Sequence, residues 1–144
     1  MSYTYKYPHP AVTTDCVLFG YKEEQLYVLL IQRGRDPYKG CWAFPGGFLN
    51  MDESAEEGAL RELQEETGIT GVTLHQFHAF TDPNRDSRER VISIAYYGVM
   101  DICDVKGDDD AADARWFPTD NLPPLAFDHE EMLMLAMKAL LNEK

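Results

Sequence analysis

GGFLNMDESAEEGALRELQEETGI, residues 46–69, carries seven acidic side chains (Asp52, Glu53, Glu56, Glu57, Glu62, Glu65 and Glu66) against one base, Arg61. Ser54 with Glu57 three positions on is a capping-box pair, acids crowd the first turn where the helix dipole favours them, and Gly68 supplies a stop. The stretch therefore predicts a helix entered through a proline–glycine turn. At about 3.6 residues per turn, Glu62, Glu65 and Glu66 fall at i, i+3 and i+4 and point toward one small volume, while Ala59, Leu60 and Leu63 take the buried side. Like charges so spaced cost roughly 0.2–0.5 kcal/mol per pair, and a divalent cation inverts the sign. Carboxylates without histidine or cysteine partners select Mg²⁺, with Mn²⁺ as its substitute, and Mg²⁺ shares itself with substrate phosphates. A solvated glutamate-rich face is the plain alternative for any such cluster.

Upstream of the turn lies a short strand, CWAF (41–44), and before it the β-rich runs AVTTDCVLFG (11–20) and LYVLLIQ (26–32), which read as a hairpin. YVLLI is apolar on both pleat faces, so it predicts a strand covered on both sides, with helices on each face of the sheet. Downstream, 72–82 and 90–100 read as strands, and ARWFP (114–118) as a short one. A final helix over 129–142 is capped by Asp128 with Glu131 three residues on. His75 and His78, three apart on a strand, should face opposite ways and make a poor metal pair. Trp42, Phe44 and Trp116 pack the sheet, with Phe44 the candidate to stack on a base. The order predicts an α/β fold in which a mixed sheet lies between helices.

The 144 residues suit one domain, residues 1–144, with 1–9 as an N-terminal extension. Thirteen basic against 25 acidic side chains give a net charge of −12, which disfavours nucleic acid and anionic membranes as partners. No run approaches the ~20 apolar residues of a membrane span. The opening MSYTYKYPHP lacks an apolar core, so the compartment expected is the cytoplasm. Cys16, Cys41 and Cys103 are odd in number and far apart, against a disulfide framework or zinc site.

Gly47, five residues, Glu53, seven residues, then Arg61-Glu62-Leu63-Gln64-Glu65-Glu66-Thr67-Gly68-Ile69 matches the pattern G-x5-E-x7-R-E-U-x-E-E-x-G-U, U being a bulky aliphatic residue. This resembles the Nudix hydrolase family. The resemblance implies an α/β/α sandwich, hydrolysis of a nucleoside diphosphate linked to a further group, and a homodimer. It implies that Glu62, Glu65 and Glu66 bind metal, that Glu62 serves some members as general base, and that the Gly46 carbonyl adds a ligand. It also implies a bracing salt bridge between Glu53 and Arg61. The chemistry has its own rationale, since a cation neutralises a diphosphate and activates water while a nearby carboxylate takes the proton.

FTDPNRDSRERV (80–91) places Arg85, Arg88 and Arg90 on a loop between strands, where guanidinium forks suit phosphate oxygens or simply pair with Asp82, Asp86 and Glu89. PNRDSR followed by RVISIAYY resembles ADP-ribose pyrophosphatases and the Nudix domains of NAD-metabolism regulators and of bifunctional nicotinamide-nucleotide adenylyltransferases. Ser87 stands where that subgroup has proline. The acidic loop before ARWFP offers Asp110 or Asp109 as a further ligand or base, with a solvated turn as the plain reading. Regulators of that type carry a winged helix after the Nudix domain, and this sequence stops at Lys144, so an enzyme is expected rather than a DNA-binding repressor. The activity expected is Mg²⁺-dependent cleavage of ADP-ribose to AMP and ribose 5-phosphate. The rivals are hydrolysis of a nucleoside triphosphate or another nucleotide sugar, and a non-catalytic nucleotide-sugar sensor.

Overall fold

The computed structural model describes residues 3–103 and 111–142. β1 (Ala11–Lys22) and β2 (Gln25–Arg33) form the hairpin, pairing antiparallel from Phe19 opposite Val28 to Lys22 opposite Gln25. β1 also runs parallel to β6 (Val91–Val99), whose far side takes the antiparallel β5 (His75–Phe80). β3 (Trp42–Ala43) and β7 (Ala111–Pro118) pair with β2, so the sheet is mixed and β1 is its centre. Antiparallel hairpins with one parallel join are what a long first strand buried on both faces permits.

Two helices close the sandwich. α1 (Ala55–Thr67) starts on the Ser54–Glu57 capping box with both reciprocal bonds present, and ends at Gly68, whose N–H donates to the Gln64 carbonyl. α2 is His129–Asn142. Strand alternation divides the core between them. Val17, Phe19, Val28 and Leu30 pack toward Met132, Leu133, Ala136 and Leu140 of α2. Cys16, Leu18 and Leu29 pack toward Ala59 and Leu63 of α1. Each fully buried Leu or Phe contributes about 1.5–3 kcal/mol, so the β1–β2 pair anchors both layers. No described helix is long and apolar enough to cross a membrane.

Three expectations need correction. Gly46–Phe48, read as a turn, is a strand, β4, antiparallel to Thr13–Asp15 of β1. Glycine permits it, because a Cβ on Gly46 would lie 2.0 Å from the Thr14 carbonyl oxygen. Asp128 does not spend its side chain capping α2: its two carboxylate oxygens accept from Arg85 Nε at 2.9 Å and Nη2 at 2.7 Å. His75 and His78 share a face, because a bulge between Gln76 and His78 sets them opposite Tyr97 and Ala95, two residues apart on β6. Their rings contact different partners, Tyr97 and Phe80, and form no metal pair.

A polar layer lies at the start of β1 inside this apolar frame. Asp15 is buried, accepts a short hydrogen bond from Ser93 Oγ on β6, and has His129 Nε2 3.6 Å from its Oδ1. Burial outweighs the Ser93 bond and raises the Asp15 pKa from 3.8 to about 7. An acid with a raised folded-state pKa contributes full stability below its unfolded value and loses it as pH climbs through the folded one. Chemical denaturation of wild type and Asp15→Asn at pH 4 and pH 7.5 should therefore show the variant gaining on wild type at the higher pH. A difference that does not change with pH would refute a buried, proton-holding Asp15.

Candidate active site

Arg61 organises the acidic side of the site. Its Nε and Nη2 donate to the two oxygens of Glu53 at 2.8 and 2.7 Å, a bidentate fork that holds the Glu53 pKa down at about 2. Glu53 also accepts from the Asn50 N–H at 2.9 Å, and Arg61 Nη2 reaches the Phe48 carbonyl at 3.3 Å. The loop after β4 is thereby fastened to α1. Arg61 Nη1 turns the other way, making a short contact with Glu62 and a 3.1 Å contact with Glu65 Oε1. Burial raises the Glu62 pKa, and the Arg61 hydrogen bond opposes that rise. Glu66 Oε1 accepts from the Gly46 N–H at 2.8 Å.

Glu62 and Glu66 line a cleft of about 320 Å³ that Arg33, Arg35, Arg85 and Arg88 line as well. Gly46 and Gly47 of β4 line the same cleft. Gly47 has no room for a side chain: a Cβ there would meet Glu62 Oε2 at 2.2 Å. Glu65 lies outside the cleft lining, with 55% of its side chain exposed.

The arginines are held rather than loose. Arg85 is buried against Asp128, and although burial works against its charge, the Asp128 hydrogen bonds and nearby carboxylates raise its pKa. Arg88 forks onto Asp86 at 3.0 and 2.7 Å. Arg90 does not join them: it is exposed, bonds the Thr81 carbonyl at 2.6 Å and lies outside the cleft lining. Phe44 is only 2% exposed and stacks on the His129 ring at 5.1 Å, so it has no face left for a base. Asp109 and Asp110 lie outside the described residues.

Four lining residues escaped the sequence reading. Arg33 ends β2 and Arg35 follows in the loop to β3, where Arg33 Nε bonds the Pro37 carbonyl at 2.7 Å. Asp15 and His129 meet at the cleft base from β1 and α2. His129 accepts from the Phe44 N–H on Nδ1, and burial lowers its pKa to about 3, so it is neutral. The only sequence signal was a carboxylate inside an apolar strand, Asp15, of the sort burial makes conspicuous.

The donor set at the glutamate wall is oxygen alone: the carboxylates of Glu62 and Glu66 beside the backbone of Gly46 and Gly47. That chemistry fits a hard divalent cation. No three ligand-type side chains among the described residues already form a closed cage. The fit is to a half-site of the kind Mg²⁺ or Mn²⁺ completes with water and substrate phosphate, and Arg61 now supplies the positive charge on Glu62.

Comparison with known proteins agrees with this architecture. The NUDIX domain family model matches residues 9–136. An ADP-ribose pyrophosphatase from Methanocaldococcus jannaschii is 41% identical over 129 residues, covering 88% of this chain and 73% of that protein. The ADPR responsive transcriptional repressor NtrR of Acinetobacter baylyi is 32% identical over 95% of this chain, which spans only 57% of the repressor. The NUDIX domain of Shewanella oneidensis NrtR, solved in complex with ADP ribose, superposes with a TM-score of 0.88 at 33% identity, covering 93% of this chain and 90% of that one. With the complete glutamate motif on α1, the mixed sheet between two helices and a family match over most of its length, this chain belongs to the Nudix hydrolase family.

Proposed function

We propose that this chain is a Mg²⁺- or Mn²⁺-dependent hydrolase that cleaves the pyrophosphate of ADP-ribose, or of a closely related nucleoside diphosphate sugar, to AMP and ribose 5-phosphate. The observation that carries the reading is one cleft lined by both glutamates and arginines. A diphosphate ester needs both: cations along its outer oxygens, and carboxylates to hold a divalent ion and accept a proton. The resemblance to an ADP-ribose pyrophosphatase, and the ADP ribose bound by the Shewanella domain, support this substrate class. The same reading takes the chain to work in the cytoplasm as a homodimer.

Glu62 and Glu66 would hold the cation, with Glu65 and the Gly46 carbonyl as further oxygen donors. The cation neutralises the diphosphate and makes water more acidic. Water adds to one phosphorus, the bridging P–O bond breaks with its electrons leaving on the departing phosphate, and the water's proton passes to a carboxylate of this wall. Glu62 suits that proton transfer, because its partial burial already raises its proton affinity. Arg33, Arg35 and Arg88 bind the phosphate oxygens, and Arg85 fixes the base of the cationic wall through Asp128.

A second reading, an ADP-ribose sensor that binds without cleaving, is favoured by the likeness to an ADPR responsive repressor. Intact glutamates at positions 62, 65 and 66 argue for turnover. Chromatography of products from ADP-ribose, other nucleoside diphosphate sugars and nucleoside triphosphates decides between these readings. Wild type should release AMP preferentially from ADP-ribose, and Glu66→Gln should lower kcat by about 100-fold or more with its melting temperature little changed. ADP-ribose bound but uncleaved by wild type would establish the sensor; preferred cleavage of triphosphates would reassign the substrate.

Gly47→Ala gives a second prediction. The added methyl displaces the flexible end of Glu62, so unfolding should be nearly unaffected while kcat falls at least about tenfold. Full activity in Gly47→Ala would show that the position of Glu62 is not critical.

A further inference from the structure

Phe44, Phe48 and Phe127 line the cleft; Phe44 is buried, Phe48 is exposed, and Phe127 is half-buried, its ring 5.8 Å from that of His129. Phe127 is the more elaborately held. Its backbone is left-handed at φ 51°, an unfavourable conformation for a bulky residue. Bonds on both sides impose it: Trp42 N–H to the Pro124 carbonyl and Ala126 N–H to the Trp42 carbonyl before it, and His129 N–H to the Ala126 carbonyl after it. Tyr38, also left-handed at φ 63°, meets the Phe127 ring at 4.8 Å from the neighbouring loop, and that loop is closed by the Cys41 N–H on the Tyr38 carbonyl.

The guanidinium carbons of Arg33 and Arg88 lie 5.0 and 5.6 Å from the Phe127 ring centre, and Arg88 is also 5.9 Å from the Phe48 ring. Two aromatic residues with left-handed backbones thus meet, Phe127 in the cleft lining and Tyr38 beside it, with two phosphate-type cations over the Phe127 ring. Core packing does not require this, since Tyr38 and Phe48 are each 44% exposed. A flat, electron-rich ring carrying a phosphate is the ligand such an array matches: the ring takes an aromatic or guanidinium face and the phosphate takes the arginines' N–H groups.

We infer that the rim formed by Phe127 and Tyr38, with Arg33 and Arg88 against it, is the nucleobase subsite, and that Phe127 determines whether a ligand with a base is preferred over one without. This rests on the reading of the cleft as a nucleoside diphosphate site. The two products separate its parts, because AMP carries the base whereas ribose 5-phosphate carries only sugar and phosphate.

Calorimetric titration of wild type, Phe127→Ala and Phe127→Tyr with AMP and with ribose 5-phosphate, in Mg²⁺ buffer, tests it without any turnover. Base–aromatic stacking predicts that Phe127→Ala weakens AMP by roughly 5- to 100-fold, leaves ribose 5-phosphate within about twofold, and is rescued by Phe127→Tyr. Equal weakening of both ligands, or none, would overturn the inference. So would a selective AMP loss in Phe48→Ala that Phe127→Ala lacks, or a wild type that does not bind AMP. Wild type that binds AMP through Phe127 but leaves ADP-ribose uncleaved would overturn the hydrolase reading alone.

Discussion

The guanidinium of Arg61 is the contact on which the rest of the site depends. One planar group grips Glu53 with one edge and turns its remaining nitrogen to Glu62 and Glu65, so a loop and two turns of α1 share a single cation. Lysine could not do this, because an ammonium is a point charge without a two-sided fork. Half-exposed pairs of this kind contribute little to global stability. Their effect is local: they keep like-charged carboxylates together on one helix face and fix where β4 enters the cleft.

The sheet supplies the complementary constraint. β1 is central and long, so both helices must lean on it, and its first residues can be polar only where they face the cleft rather than α1 or α2. Asp15 and Thr13 stand there, opposite Gly46 and Phe48 of β4. Gly46 and Gly47 of β4 carry no side chains because the Thr14 backbone and Glu62 already fill the space. Burial raises the Asp15 carboxyl to about 7 beside a neutral His129, which lessens the negative charge at the cleft in a protein carrying −12 overall.

Legibility in the sequence followed how local each interaction is. The glutamates of α1, its caps and the hairpin of β1 with β2 depend on spacings of a few residues, and spacing is what a sequence displays. The covering of YVLLI on both faces was readable for the same reason. Arg33 and Arg35 were not, because the fold and not their spacing brings them into the cleft beside the α1 glutamates. Phe44 follows β3, a strand only two residues long and too short for alternation to reveal which way the next side chain points. Asp128 had a local role open to it as a cap, and a partner 43 residues away took its side chain instead.

The two walls also differ in how they are built, and the difference is functional. The glutamate wall is one helix, rigid and continuous, whereas the cationic wall is assembled from the 33–41 loop, the 80–91 loop and the approach to α2, tied by Arg85–Asp128 and Arg33 to Pro37. Loops vary in length and composition without disturbing a packed sheet. In the proposed function, chemistry resides on the helix and recognition of what is attached to the diphosphate resides on the loops. That division explains why Glu62 and Glu66 are placed by helical geometry alone, while Phe127 and Tyr38 need backbone conformations that only a fully bonded loop will hold.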